Sequence, residues 1–275
     1  ALDTSLATNL QNQQGELTKG KLSLKGLGNT KQLTFENIAL SGSAGTLNGQ
    51  GSISLQSDLI VALNLSAKNL NPAIFSPSWP GYLALELAIN TTTAANGSPL
   101  IQALLNTTGQ LRHHPFALKT VAEFMVDANK NHLLTIDKLL LNSGGSSIAA
   151  DAIFEANKTL SANWLVSSNN LEELIPNTKG KLNTKGSVGI NMPLSKTPTV
   201  NDLLHAIKTK LTLSASDIAA FNIKIGTLTT LADINWQDNK NGDENTLTFN
   251  SEKLSYDSFN IEYISAKLNG DPDKH

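Results

Sequence analysis

Alternation of apolar and polar residues is the feature that most limits what this chain can fold into. In the stretch 59–66, the odd positions are Leu, Val, Leu and Leu, and the stretch 83–90 repeats the pattern with Leu, Leu, Leu and Ile. Successive side chains of a β-strand point to opposite faces, so this period of two predicts strands with one apolar and one polar face. Similar segments recur along the chain and are separated by turn-forming stretches such as "NSGG" and "QDNKNGDEN".

Helical patterns are few and short. The best candidates are Pro99–Asn106 ("PLIQALLN"), which has Ser98 before it as a possible N-cap and proline at its first position, and Val200–Lys208 ("VNDLLHAIK"). The stretch 169–175 ("NNLEELI") is a candidate for a single turn. The sequence therefore predicts a mostly β protein with one or two short helices.

The chain also repeats internally. The segments "LTFENIALSGS" (33–43), "LTIDKLLLNSGG" (134–145) and "LTFNSEKLSYDS" (247–258) share one frame. The first two copies stay in register as far as their Gly-x-Leu segments once a two-residue gap is allowed, which alternation alone would not produce. We expect a fragment of a larger repeat protein with approximate units 18–107, 108–196 and 197–275. The alternative is one ordinary β-sandwich whose halves are similar by chance.

Composition excludes several classes of function. Charged residues make up 16% of the chain, the formal net charge is −2, and no block of Lys and Arg is present. Nucleic-acid binding normally needs a basic surface, so we expect no nucleic-acid partner. The chain has no Cys, which favours export to the bacterial periplasm, and it has no signal peptide and no long apolar run. We expect it to be a periplasmic piece of a membrane-anchored parent.

No catalytic motif is present. The sequence contains no Gly-x-Ser-x-Gly elbow, no P-loop and no His-Glu-x-x-His. The carboxylate pairs at 172–173 and 243–244 fall in a short turn and a charged loop, where solvation explains them. We therefore predict that the chain is not an enzyme and that it has neither a cofactor nor a metal site.

The functional feature that remains is the set of apolar strand faces. If successive strands join these faces and leave them partly uncovered, they form a hydrophobic groove, and a large exposed apolar patch on a soluble domain usually binds something. Acyl chains are the natural ligand, because a row of Leu, Ile, Val and Ala grips a hydrocarbon tail without specificity. The residues predicted to line this groove are Leu59, Val61, Leu63, Leu65, Leu83, Leu85, Leu87, Phe154, Trp164, Val166, Val188, Ile223 and Ile225.

Two long phrases resemble a known family. The phrases "NLEELIPNTKGKLNTKGSVGI" and "NLNPAIFSPSWPGYLALEL" are similar to the repeated Leu-x-x-Leu-x-Pro and Gly-x-Leu phrase of TamB, the inner-membrane subunit of the translocation and assembly module. The closing "YISAKLNGDPDKH" is similar to strands of the same family that finish near Gly-Asp-x-x-x-His. The broader AsmA-like group of bridge-type lipid transporters shares the pattern.

The resemblance implies a fold and a function. It implies a long periplasmic β structure, curled into a U-shaped or taco-like groove with an apolar inside, and a parent anchored in the inner membrane by an N-terminal helix. It implies a barrel partner in the outer membrane, phospholipid as cargo, and support of outer-membrane protein assembly, with no catalytic residues. The polar insertion at 190–210 departs from the family pattern, so the resemblance does not establish continuous β structure there.

Two other functions remain open on the sequence. One is a β-solenoid or sandwich module of an adhesin that binds through its loops over a filled core. The other is a scaffold for nascent outer-membrane proteins, which would use the same groove and the exposed strand edges for β-augmentation.

Overall fold

The chain folds into an open antiparallel β-sheet in which strand order is chain order. The computed structural model describes residues 2–11, 17–55, 59–95, 97–126, 132–155, 159–191, 206–235 and 245–270, and the side chains at 2–19, 55 and 59 lie outside that description. The predicted mostly β, open fold is confirmed. The strands are β1 (Leu2–Gln11), β2 (Leu17–Gly28), β3 (Gln32–Gly42), β4 (Gly45–Leu55), β5 (Leu59–Leu70), β6 (Gly81–Thr93), β7 (Pro99–Leu111), β8 (His114–Val126), β9 (His132–Ser143), β10 (Ser146–Glu155), β11 (Thr159–Ser168), β12 (Thr178–Asn191), β13 (Ile207–Ala220), β14 (Ile223–Asn235), β15 (Thr246–Tyr256) and β16 (Phe259–Asn269).

The chain divides into two compact units. The first unit comprises residues 1–132 and 136–144, and the second comprises residues 133–135 and 145–275. In the first unit β1 to β8 form a meander in which each strand pairs antiparallel with the next. In the second unit β10 to β16 do the same. The predicted units 18–107, 108–196 and 197–275 stay a prediction.

The predicted helix at Pro99–Asn106 is wrong, because these residues belong to β7. Their apolar side chains at 101, 103 and 105 alternate with exposed side chains at 102, 104 and 106, and the strand pairs with β6 on one side and β8 on the other. A short apolar run fits a helix and a strand about equally well, and pairing on both sides decides for the strand. Pro99 is the first residue of the strand, where its missing N–H is tolerated.

The second predicted helix, Val200–Lys208, lies mostly outside the described residues, but its last two residues belong to β13. The polar insertion at 190–210 does not interrupt the sheet. Ile190 of β12 pairs directly with Ile207 of β13, and the two strands stay paired along their length. The insertion therefore acts as a connection between neighbouring strands.

Strand β5 contains a β-bulge that the equivalent strand of the second unit lacks. Strand β5 has 12 residues and its register with β6 shifts between Ala67 and Leu70, where Asn69 has a φ of 54°. The equivalent strand β11 has 10 residues and pairs with β12 without a shift. A β-bulge places extra residues in one strand without breaking the ladder. The bulge sets Lys68 and Asn69 opposite the single residue Ala84 of β6, so it adds one residue to β5.

Each of two strand connections contains one turn of 3-10 helix. The first is Pro72–Ile74, and the second is Leu171–Glu173, which confirms the predicted single turn at 169–175. Both turns are capped by asparagine: Asn71 Oδ1 accepts from Ala73 N at 3.1 Å, and Asn170 Oδ1 accepts from Glu172 N at 3.3 Å. The side-chain oxygen satisfies an N–H that the short turn leaves free.

In the first unit the connection between β5 and β6 bridges the tips of two hairpins. Asn71 N donates to Ala44 O at 3.0 Å, in the turn between β3 and β4. At the other end of the connection, Arg112 N donates to Pro80 O at 2.6 Å, and the Arg112 guanidinium lies 5.4 Å from the centre of the Trp79 ring. Trp79 thus packs at one end of the strands.

In the second unit, the Glu173 carboxylate links the connection between β11 and β12 to the start of β10. Glu173 Oε2 accepts from Gly145 N at 2.9 Å and from Ser146 Oγ at 2.6 Å. The hydroxyls of Ser146 and Ser168 are 2.7 Å apart and the two residues are 1% and 0% exposed. Buried hydroxyls are costly unless they are hydrogen bonded, and here each has a partner.

Candidate functional site

One face of the first unit carries the apolar residues that the sequence singled out. Val61, Leu63 and Leu65 of β5 are half-buried, and the intervening Asn64 and Ser66 are exposed. Strand β6 has the same pattern, with half-buried leucines at 83, 85 and 87. The registers of the two strands match, because Leu65 pairs with residue 87 and directly paired residues share a face. We call this the apolar face of the first unit and its reverse the polar face. The side chain of Leu59 lies outside the described residues.

The apolar face extends well beyond the predicted residues. Pairing carries it across β2, β3, β4, β7 and β8, which is seven strands together with β5 and β6. At about 4.8 Å between strands, six steps span roughly 29 Å. The residues that the sequence did not single out on this face are Leu22, Leu24, Leu33, Phe35, Ile38, Leu40, Leu47, Ile53, Ile89, Ile101, Leu105, Phe116, Leu118 and Phe124.

Two local features explain why the sequence did not reveal the face residues of β3 and β7. In β3, Glu36 and Asn37 form a bulge opposite Gln50 of β4, so the alternation changes phase between Phe35 and Ile38. In β7, the pattern was assigned to a helix. Both residue sets would have been found by following strand pairing outward from β5 and β6, but a single sequence does not reveal register across a bulge.

The second unit has an apolar face of its own. Phe154 of β10 pairs with Leu160, and on β11 Trp164 and Val166 lie on the same face at half-buried positions. Val188 of β12 pairs with Ala162 and joins them. The face continues into β13 and β14 through the paired residues Leu211 and Ala232, Leu213 and Thr230, and Ala215 and Leu228.

Ile223 and Ile225 lie beyond a bulge near the end of the same strands. Asp217 has a φ of 55°, and the register of β12 with β13 shifts beside Gly180. Ile225 pairs with Ile218, whose Cδ1 would lie 2.8 Å from a Cβ added at Gly180. Ile223 is 38% exposed, so it lies at the edge of the face rather than within it.

Glycines on the apolar faces are covered by their neighbours. A Cβ added at Gly51 would lie 3.0 Å from Leu63 Cδ1, and one added at Gly186 would clash with Trp164 Cζ2. Leu63 and the Trp164 indole therefore lean across the paired strand. In a pleated sheet this fills the space that a missing side chain leaves, so the surface stays continuous.

Hydroxyl groups on the apolar faces are turned towards the backbone. Thr91 Oγ1 accepts from Val61 N at 2.8 Å, and Thr209 Oγ1 donates to Ser187 O at 2.9 Å. The Trp164 indole N–H points at Thr184 Oγ1 at 3.4 Å. These three polar groups are satisfied locally, so an apolar ligand can cover them without leaving their donors unpaired.

A family comparison accounts for this arrangement. The model of the TamB N-terminal domain matches residues 1–275. The chain belongs to the TamB family. The resemblance predicted from its two long phrases is confirmed. A search of curated proteins and a search of solved structures each gave no match.

Membership of the TamB family fixes a coarse role. TamB proteins are envelope proteins that span the periplasm, and they act as a transport and assembly component with the outer-membrane partner TamA. A role in the translocation and assembly module follows for this chain. In the described part of the chain, no helix is long and apolar enough to cross a membrane. The same residues contain no cluster of three or more His, Cys, Asp or Glu that could hold a metal ion.

The apolar faces of this TamB-family chain are not sealed. Among the residues whose burial is described, four apolar ones are buried: Ala67, Leu111, Leu171 and Ala206, at 2%, 7%, 5% and 5% exposed. Leu59 aside, the predicted face residues are half-buried or, at Ile223, exposed. A sandwich packs one sheet against another and buries its inner side chains at crystal-like density. Here the large side chains retain contact with solvent along the sheet.

Proposed function

We propose that the two apolar faces hold phospholipid acyl chains, so that the chain serves as a segment of a lipid conduit through the periplasm. The supporting observation is that large apolar side chains share one face over many strands and yet remain half-buried. A stable water-soluble protein rarely leaves so much contiguous apolar surface without a ligand. In this proposal the parent is anchored in the inner membrane, and the conduit leads towards the outer-membrane barrel.

The transfer free energy and the length of an acyl tail both suit the apolar face of the first unit. At about 0.8 kcal/mol per buried CH2, a 16-carbon tail loses roughly 13 kcal/mol on transfer to water, so a carrier must cover most of the tail throughout. A bilayer core is about 30 Å thick, so the tails of one leaflet extend roughly 15 Å. The apolar face of the first unit, at roughly 29 Å across its strands, is wide enough for a tail to lie along it.

The similarity of the side chains along the apolar face favours movement of an acyl tail over tight binding at one point. Leucine, isoleucine, valine, phenylalanine and alanine predominate on the paired positions, and among the described side chains of this face on β2 to β8 none is Asp, Glu, Lys or Arg. A tail that slides by one strand therefore exchanges like contacts for like. Head groups would stay in water at the strand ends, and delivery of lipid to the outer membrane would support the assembly of proteins there.

Lipid extraction tests the proposal directly. We expect the chain, purified without detergent, to carry phospholipid that mass spectrometry of an organic extract identifies at a fixed ratio to protein. The ratio should survive gel filtration, because a tail held along the face dissociates slowly. A chain that carries no lipid after expression in a bacterial periplasm, and takes none up from vesicles, would contradict the proposal and favour an adhesin-like module.

Trp164 offers a second measurement. In a chain carrying Trp79→Phe and Trp236→Phe, Trp164 is the remaining tryptophan, and its indole lies on the apolar face of the second unit. Phospholipids with brominated acyl chains should quench its fluorescence strongly. The matched control keeps Trp79, which packs on Arg112 at the strand ends, and replaces the other two. Equal quenching of both variants would argue against tails on the sheet face.

A further inference from the structure

The polar face of the first unit contains a depression of about 650 Å³. Its volume falls within the range of about 300–1,000 Å³ that ligand clefts have, and it is open to solvent on one side. It is lined by residues of β3 to β8, most of which lie on the reverse of the face to which we assign acyl chains, and Gly49, Leu65 and Leu87 of that face also border it. The lipid proposal makes no use of it.

Strand register arranges the lining into rows. Asn48, Ser66, Glu86, Asn106 and Lys119 pair successively across β4 to β8, so they form one row over five strands. At about 4.8 Å per strand, the row is roughly 19 Å long. A second row beside it runs through Gln50, Asn64, Ala88 and Leu104.

The polar groups of these rows do not bond to one another. Elsewhere on the polar faces, facing side chains do: Gln102 Nε2 donates to Glu123 Oε1 at 2.9 Å, and in the second unit Asn163 Nδ2 donates to Asp151 Oδ2 at 2.7 Å. Among the residues that the structure describes, the side chains of the first row make no hydrogen bond or ion pair. Their donors and acceptors therefore have no partner among the described residues.

The chemistry of the rows selects a class of ligand. Each amide offers two donors and an acceptor, and a carboxylate and an ammonium group stand in the same row. Glu86 and Lys119 carry opposite formal charges, and Glu36 at the margin is ion-paired with Lys25 at 3.6 Å, so a strongly charged ligand gains little. Hydroxyl groups both donate and accept, and they match this mixed set. Leu104, which is 42% exposed, and Ala88 provide an apolar floor for C–H groups.

We propose that this depression binds a neutral oligosaccharide. The sugar hydroxyls would bond to the amides of Asn48, Asn64 and Asn106 and to the charged groups of Glu86 and Lys119, and the apolar face of a ring would rest on Leu104. An extended peptide fits less well, because its side chains need pockets at alternate positions, whereas the first row consists of exposed polar groups and the apolar residues of the depression, Ala88 and Leu104, are adjacent in the second row. The lining residues are held on strands, so the site is formed before the ligand arrives.

The test is titration calorimetry of the full chain with chitotetraose and with cellotetraose, alongside a neutral tetrapeptide. We expect one of the sugars to bind at millimolar concentration or tighter, and Asn106→Ala to weaken that binding by about 2- to 13-fold, the usual range for one hydrogen bond. Gln110→Ala is the matched control, since Gln110 is an exposed amide on the same strand and face but outside the depression. It should leave the affinity unchanged.

Several outcomes overturn the proposal. Absence of sugar binding does so, as does binding that survives the double variant Asn64→Ala/Asn106→Ala, or preference for the peptide. The substituted side chains are exposed, so circular dichroism should show an unchanged fold in each variant. Lipid content is measured on the same preparations. Loss of sugar binding with retained lipid shows the two faces to be independent, and failure of the lipid proposal leaves this one standing.

Discussion

The Leu63→Asp variant is expected to purify with at least about tenfold less phospholipid than the unmodified chain and to keep its fold. In the lipid-free chain this half-buried side chain touches water, so the new carboxylate can remain solvated and the stability loss should stay within about 1–2 kcal/mol. Under an acyl chain the same carboxylate is cut off from water, which costs several kcal/mol. Each 1.4 kcal/mol corresponds to a factor of ten in affinity.

Asn64→Asp supplies the control. It places the same charge one residue further along β5, on the polar face, where the side chain is already exposed. We expect lipid content and thermal midpoint to match those of the unmodified chain. Mass spectrometry of the extract and circular dichroism of the same sample give both quantities.

Two results would contradict the assignment of the face. If both variants lose lipid equally, the effect is one of net charge and not of position. If Leu63→Asp unfolds the chain, the face is a sealed core, and the neutral variant Leu63→Ser would then also destabilise it by several kcal/mol. Under the proposal, the serine variant folds and loses part of its lipid.

Much of the fold followed from the sequence because alternation is a local property. The alternation within β5 and β6 shows which residues share a face, because every second residue is apolar. Strand pairing then places the leucines of β5 beside those of β6. The same holds for Trp164 and Val166 in the second unit. Local pattern also predicted the single turn within 169–175, which the structure shows at 171–173.

The failures all involve information that is not local. The segment Pro99–Asn106 fits a helix until β6 and β8 are seen on its two sides. The face residues of β3 were missed because a bulge at Glu36 and Asn37 changes the phase of the alternation. The polar depression was not anticipated at all, since its rows exist only once five strands are in register. Register is set by pairing, and a single sequence carries it only weakly where bulges intervene.

Gly45→Ala is expected to lower the free energy of unfolding by about 3 kcal/mol. For a protein of this size each kcal/mol lowers the thermal midpoint by roughly 2–4 °C, so the expected total shift is about 6–12 °C. Gly45 has a φ of +120°, and a Cβ there would lie 2.6 Å from Asn69 O and 2.8 Å from Lys68 O. Both oxygens belong to the backbone of the β5 bulge, which has little freedom to move. The substitution should therefore also weaken the bond from Asn71 N to Ala44 O, which joins the 3-10 turn to the neighbouring hairpin.

Gly97→Ala separates the cost of the backbone conformation from the cost of the steric clash. Gly97 also has a positive φ, of +83°, but nothing lies within 4 Å of a Cβ added there. Its substitution meets the conformational penalty alone, which is about 1 kcal/mol. Urea unfolding of both variants, with hydrogen exchange at Asn71, measures the difference. Equal losses would mean that the backbone conformation accounts for the whole effect and that the bulge yields. A larger loss at Gly45, with faster exchange at Asn71, would show that the bulge holds the connection over the hairpin and so fixes one end of the apolar face.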